Sequence, residues 1–477
     1  MGKVLSVASE CVPFVKTGGL ADVVGALPKA LSPLGWEMRV LLPAYPGLEA
    51  RLANRKKIWE EEDLFGGPAH VVRGTVDGTT MLLLVAPHLY DRPGGIYSVD
   101  GKDHPDNPER FAALSWAAAE LAKGGGTDGW RPSVLHAHDW QAGLAPAYLN
   151  YAGTTDIRTV ITIHNVAFQG IAPASRLAAL RLPGHAFTSD GLEYYGNIST
   201  LKAGLVTADR ITTVSPTYAE ELMRPEFGLG LEGVLAARAG DLTGILNGVD
   251  ESVWSPEDDP ECAPYSKRSL KGKAANRERL CAELGLGDIG GPLAIVVSRL
   301  TAQKGIDLLA TATDDFISAG GGLALLGTGD HALEAAMQAA EARWPGRVAV
   351  RIGYDEGLAH RMFAGGDAVL VPSRFEPCGL TQMYGLRYGT IPVVAATGGL
   401  NDTVIGATPA SIRAAAATGI TFHPVDGIAL AGALRRLVQL HADRRTWSAM
   451  IRAAMKADVS WTGPARAYAD LYRSLVA

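Results

Sequence analysis

The sequence predicts an α/β protein of two Rossmann-like, doubly wound parallel-sheet domains, on three observations. At 477 residues the chain is longer than one hydrophobic core ordinarily serves, so two or more domains are expected. Its apolar residues fall in short continuous runs, the signature of strands buried on both faces of a parallel sheet. Helical stretches separate those runs, and the alternation occurs twice, on either side of a turn-rich, acidic segment.

In the first half the runs are VLSVAS from Val4, MRVLLP from Met38, MLLLVAP from Met81, VLHAH from Val134, TVITIH ending on His164 and RITTVS ending on Ser215, with a helix from about Ala21 to Leu34 after the first. The stretch ILNGVDESVWSPEDDPE, Ile245 to Glu261, is dense in turn formers and reads as the linker. Beyond it come LAIVVSRL, a helix from Ile306, LALLG, a helix from His331, VAVRIGYD, a helix from Gly357, AVLVPS and IPVVAA. Strands joined by helices in this way form a parallel sheet. The expected domains are residues 1–245 and 246–457. Residues 458–477 form an amphipathic helix that packs back on the first domain.

Composition narrows the function classes. The chain is 47% apolar and 20% charged, as globular proteins are. A net charge of -6 argues against a broad nucleic-acid surface, so an anionic ligand must meet locally placed cations. Cys11, Cys262, Cys281 and Cys378 lack paired metal spacing, and a reducing cytoplasm suits them. The start of the chain lacks a secretory leader, and no apolar run approaches the roughly 20 residues of a membrane span.

Four constellations sit at strand ends, where open parallel sheets bind ligands. KTGGLADV from Lys16 places Gly18 and Gly19 at a helix entry, where backbone N–H groups can approach an anion; a plain helix-entry turn is the competing reading. SRLTAQKGID from Ser298 sets Arg299 and Lys304 in a strand-to-helix loop, a pair suited to a diphosphate, although loop cations are often simply solvated. SRFEPCGLTQMYGLRYG from Ser373 puts Glu376 before a helix entry at Gly379 and Leu380. There the carboxylate can meet sugar hydroxyls or complement the helix dipole, and Cys378 reads as a small buried thiol. In VLHAHDWQAG and TIHNVAFQG, His136 and His138 share a strand face, but no further ligand accompanies them, so no metal is expected. TGGLAD from Thr17 returns as TGGLND from Thr397, read as separate uses of one Gly-rich turn.

Taken in order, KTGGLADV, HAHDWQAG, HNVAFQG, NGVD, SRLTAQKGID, IGYDE and EPCGLTQ resemble bacterial glycogen synthases and plant starch synthases over nearly the whole chain. The resemblance implies a GT-B fold with a deep cleft between the domains. It also implies glucose transfer from ADP-glucose to the non-reducing end of an α-1,4-glucan, with retention and without a metal or other cofactor. Lys16, Gly18, Gly19 and Asp22 would form the donor loop. Arg299 and Lys304 would neutralise the diphosphate, with Cys378, Gly379, Leu380 and Thr381 supplying the facing loop, and Glu376 would bind the transferred glucose. Asp139, His164 and Asn165 would line the glucose and the acceptor path. Asn247 and Tyr354 would complete the donor pocket, Tyr354 beside the adenine, and Glu10 and Tyr97 are weaker candidates. Related transferases often hold the ribose with a second Glu eight residues after the first; here that position is Tyr384, which leaves the ribose contact unassigned. The resemblance implies no nucleic-acid or membrane partner and leaves the oligomeric state open. The competing functions are another nucleotide-sugar enzyme of this fold and a non-catalytic glucan-binding protein.

Overall fold

The structure is a computed structural model describing residues 1–477. The chain divides into two compact units, one of Met1–Leu246 with Trp461–Ala477, the other of Asn247–Ser460.

The first unit is built on a nine-stranded sheet. Its strands are β1 (Gly2–Val7), β2 (Trp36–Pro43), β3 (Ala53–Glu61), β4 (Ala69–Val76) and β5 (Thr79–Val85). After the small hairpin β6 (Ser98–Val99) and β7 (Lys102–Asp103) come β8 (Val134–His138) and β9 (Arg158–Ile163). A separate three-stranded sheet of β10 (Ile171–Pro173), β11 (Glu193–Tyr194) and β12 (Asn197–Ser199) precedes β13 (Arg210–Thr213) and β14 (Leu242–Gly244). The large sheet runs β14-β13-β9-β8-β1-β2-β5-β4-β3.

This sheet departs from the all-parallel expectation at one edge. β1, β2, β5, β8, β9, β13 and β14 are parallel, whereas β4 runs antiparallel to β5 and β3 antiparallel to β4. The β4–β5 link is tight, with Asp77 and Gly78 both at positive φ, as a two-residue hairpin requires. β3 opens with five exposed residues, among them Arg55, Lys56 and Lys57. Charge of this kind protects a sheet edge from pairing with other chains.

The helix Thr462–Val476 belongs to the first unit. It lies against the helix Gly19–Leu31, and its Tyr468 and Tyr472 are buried with Val4, Leu27, Trp36 and Trp461. Tyr472 meets Trp36 edge-on at 5.3 Å.

The second unit carries β15 (Leu293–Val297), β16 (Gly322–Gly327), β17 (Val348–Ile352), β18 (Ala368–Val371), β19 (Ile391–Ala395) and β20 (Ile420–Phe422). All are parallel, in the order β17-β16-β15-β18-β19-β20. Each unit therefore has one place where successive strands are laid down to opposite sides: between β1 and β8 in the first, between β15 and β18 in the second. Ligands of open parallel sheets bind outside the carboxyl ends of strands at such a switch point.

Candidate active site

In the first unit, the chain leaving β1 passes through Glu10 and reaches the Lys16–Gly19 loop. Glu10 is buried. Its Oε2 accepts the N–H groups of Thr17 (2.5 Å) and Gly18 (3.2 Å), and its Oε1 accepts the hydroxyls of Thr17 (2.6 Å) and Tyr97 (2.5 Å). Gly18 caps the helix Gly19–Leu31 and has no side chain to serve its first N–H groups, so a carboxylate eight residues upstream does part of that work. A Cβ on Gly18 or Gly19 would meet no atom within 4 Å. The fold does not need these glycines for packing; they leave exposed backbone open to close approach. Lys16 Nζ lies 2.8 Å from Asp22 Oδ1, an ion pair half in solvent.

At the end of β8, Asp139 adopts φ +53°, uncommon for a residue with a side chain. Its Oδ1 accepts the N–H of His164 at 2.7 Å and of Asn165 at 3.4 Å, tying the ends of β8 and β9 together. Burial pushes the Asp139 carboxyl up to about 7, against the pull of those two N–H groups and with help from the Glu10 charge. His164 Nε2 lies 3.0 Å from His138 Nδ1, and His138 Nε2 lies 3.1 Å from Ser6 Oγ. Burial lowers His164 to about 3 and holds His138 far below its usual value. Both rings are neutral near pH 7, so between them one nitrogen donates and the other accepts. His136 spends its two nitrogens on Tyr472 Oη (2.7 Å) and Thr162 Oγ1 (2.6 Å). Both histidines on β8 are thus fully engaged by protein groups, and no cluster of three or more His, Cys, Asp or Glu side chains is arranged to hold a metal ion. Tyr97, bonded to Glu10 and Ser9, also packs toward Trp140, the neighbour of Asp139.

In the second unit, Arg299 follows β15, exposed and in no ion pair. Lys304, in the same loop, pairs its Nζ with Glu376 Oε2. That oxygen also accepts the Ser373 hydroxyl at 3.0 Å. Glu376 comes from the loop after β18, so the pair bridges the two strands of the switch point. Gly379, at φ +74°, makes the turn into the helix Thr381–Tyr388, which Leu380 opens without a side-chain cap. Its first-turn N–H groups have no intrahelical acceptor. Cys378 is buried and its thiol is pushed up to about 12, so it packs and does not ionise. Asn247, at the start of the second unit, is buried. Tyr354 stands exposed just past β17, its hydroxyl donating to Glu356 at 2.9 Å.

Three features of the site were not foreseen. Thr17 and Ser373 secure Glu10 and Glu376. The TGGLND loop lies beneath EPCGL: Gly399 N–H bonds to the carbonyls of Glu376 and Pro377, and a Cβ on Gly398 would sit 2.0 Å from the Glu376 oxygen. Its echo of TGGLAD was the visible signal, although the two loops do opposite things. Finally, Tyr384 stacks on Trp254 at 3.9 Å, and Trp254 stacks on His360 at 3.9 Å. The position eight residues after Glu376 is thus part of an aromatic column.

Residues 3–237 match the family described as starch synthase catalytic domain, and residues 288–454 match glycosyl transferases group 1. A sucrose-phosphate synthase structure from Thermosynechococcus elongatus, 20% identical and covering 100% of this chain and 99% of its own, superposes with a TM-score of 0.62 and shares the fold. With its two doubly wound units and a ligand-competent switch point in each, the chain is a glycosyltransferase of the GT-B class. A glycogen synthase of Cereibacter sphaeroides is 65% identical over 100% of this chain and 99% of its own, and one of Paracoccus denitrificans is 58% identical over 100% of both. The catalytic domain of starch synthase IV from Arabidopsis thaliana, solved with ADP and acarbose, is 32% identical, covers 100% of both chains and has a TM-score of 0.90. The chain belongs to the glycogen synthase family.

Proposed function

We propose that the chain transfers glucose from ADP-glucose to the non-reducing end of an α-1,4-glucan with retention of configuration, releasing ADP, without a metal, in the cytoplasm. The observation that carries this reading is the pairing of an unneutralised Arg299 with a Glu376-bound Lys304 at the β15–β18 switch point. As the glycosidic bond to phosphate breaks, negative charge grows on the diphosphate and the sugar becomes oxocarbenium-like; fixed cations stabilise the former. Arg299 has its full charge available to the diphosphate. Lys304 is held in place by Glu376, whose remaining acceptor capacity is suited to glucose hydroxyls. The N–H groups at Gly379, Leu380 and Thr381 add anion-binding dipoles.

In the first unit, the open backbone at Gly18 and Gly19 and the cation of Lys16 suit the donor phosphates, with Asp22 steadying Lys16. Neutral His164, with Asn165 and Asp139 behind it, suits hydroxyl groups of the transferred glucose, which need donors and acceptors more than charge. Asn247 and Tyr354 are assigned to the donor pocket, Tyr354 as a face for the adenine, and Glu10 and Tyr97 to its support. Neither carboxylate is placed as a nucleophile. Departure and attack occur on one face, and the leaving phosphate takes the proton of the incoming 4-hydroxyl.

The test is radiolabel transfer to glycogen from ADP-glucose and from UDP-glucose in parallel. Transfer from the first, exceeding the second at least tenfold, is expected. Transfer from neither would remove the reading, and preference for UDP-glucose would correct its nucleotide.

A further inference from the structure

Of the six ring nitrogens of His136, His138 and His164, five are engaged by protein groups and one, His164 Nδ1, is free. His136 spends both of its nitrogens on Tyr472 and Thr162 and makes no bond to His138, although the two rings lie 4.2 Å apart. A separate line runs from Ser6 on β1 through His138 on β8 to His164 beyond β9. Ser6 Oγ is 3.1 Å from His138 Nε2, and His138 Nδ1 is 3.0 Å from His164 Nε2. Ser6 pairs with His136 in the β1–β8 register, and His138, two residues on, shares that strand face, so the hydroxyl reaches it diagonally. The acids of this end of the sheet do not intervene: Asp139 is bonded to backbone N–H groups, Glu10 to backbone N–H groups and hydroxyls, and neither bonds to a histidine ring.

Burial keeps His138 and His164 neutral, so one proton lies between His138 Nδ1 and His164 Nε2. It can belong to either ring, and the Ser6 hydroxyl decides which. That hydroxyl is fully buried and His138 Nε2 is its sole partner. Were His138 to donate from Nε2, Ser6 would accept, and its own O–H would be left in the core without an acceptor. Were Ser6 to donate, only lone pairs on its oxygen would go unused, which costs less than a stranded buried donor. Ser6 therefore donates to His138 Nε2, His138 donates from Nδ1 to His164 Nε2, and the proton of His164 resides on Nδ1. Every buried donor on the line then has its acceptor, and the one unspent N–H points out of the relay.

We propose that Ser6 is a positioning residue that fixes, through His138, the tautomer of His164, so that His164 meets the transferred glucose as a hydrogen-bond donor from Nδ1. The hydroxyl of glucose that it meets is then an acceptor toward His164 and directs its own O–H elsewhere. The role in transfer rests on the placement of His164 against glucose proposed above; the relay itself does not.

The test is heteronuclear NMR on the full chain with isotope-labelled histidine, in which the nitrogen shifts of a neutral imidazole report which nitrogen carries the proton. His138→Gln and His164→Gln serve only to assign the signals. In the wild type, His138 and His164 are both expected to be protonated at Nδ1. In Ser6→Ala, with folding checked by thermal unfolding, both rings should pass to a mixture of tautomers, and kcat/KM for ADP-glucose should fall about tenfold. A wild-type His164 protonated at Nε2 would overturn the relay, whether or not the variant folds. Unchanged tautomers in a folded Ser6→Ala would overturn the part given to Ser6. Altered tautomers with unchanged kcat/KM would overturn the donor role of His164. The expected tautomers in a wild type that transfers no glucose would uphold the relay and remove the reaction.

Discussion

Lys304 and Glu376 neutralise each other across the β15–β18 switch point, while Arg299, five residues earlier, faces solvent unpaired. The two cations should therefore fail differently. Lys304→Ala leaves a buried carboxylate without its partner, which costs about 3–5 kcal/mol, and also removes a charge from the diphosphate. Arg299→Ala removes only the charge. Both should lower kcat about 10²- to 10³-fold, but thermal unfolding should shift downward only for Lys304→Ala. Near wild-type turnover in either variant would take that residue out of the reaction.

The two TGGL loops should separate as cleanly. In Gly398→Ala the new methyl meets the Glu376 carbonyl and pushes the Glu376 loop aside. A displacement of about 1 Å in a positioning loop costs about 10²-fold in rate, so kcat should drop by that order although Gly398 touches no substrate. Gly18→Ala meets nothing and its backbone is extended, so stability should hold or rise slightly. Its defect should be confined to a higher KM for the nucleotide sugar, and steady-state kinetics beside unfolding midpoints would show whether the loops divide in this way.

Glu10 acts through the loop it holds. Glu10→Ala removes the acceptor of two backbone N–H groups and two hydroxyls at once. The expected result is faster amide exchange at Thr17 and Gly18 together with a loss of kcat/KM of about tenfold or more, since each hydrogen bond to a charged group is worth roughly 1.5–3 kcal/mol. Tyr97→Phe, which leaves the backbone bonds in place, should show the smaller loss on both readouts. Unaltered exchange in Glu10→Ala would refute the positioning role.

Asp139 makes stability depend on pH. Burial raises its folded pKa to about 7, above the unfolded value of 3.8. The folded state therefore binds the proton more tightly, and the stability this provides is full below about pH 4 and lost as pH rises through about 7. Asp139→Asn keeps an oxygen for the His164 N–H and cannot ionise. Its unfolding midpoint should fall less than that of the wild type between pH 5 and pH 8; parallel curves would show that Asp139 does not titrate as assigned.

The parallel cores were legible because strands such as LAIVV and AVLV are apolar without interruption, and only a doubly covered sheet needs that. β3 was not, because ANRKKIWEE carries the charge of a sheet edge and so lacks the pattern that marks a strand. The candidate site residues Gly18, Arg299, Lys304, Glu376 and His164 were read from position alone, in the segments that run from a strand end to a helix start or directly follow a strand. What the spacing could not show was partnership at a distance. Tyr384 and Trp254 are 130 positions apart and meet face to face, Tyr97 reaches Glu10 across 87 positions, and neither contact leaves a local periodicity.

The placement of residues 461–477 has a consequence for how the molecule is made. Tyr468, Tyr472 and Trp461 complete the same buried cluster as Val4, Leu27 and Trp36, and Tyr472 bonds to His136 behind the His138–His164 pair. On the ribosome, the first unit is synthesised first but lacks these side chains until the whole of the second unit has emerged. The second unit, Asn247–Ser460, is continuous in sequence and can finish folding earlier. Vectorial synthesis thus reverses the order of completion, and His136, with the His138–His164 pair in front of it, acquires its final packing only after the whole second unit has been made.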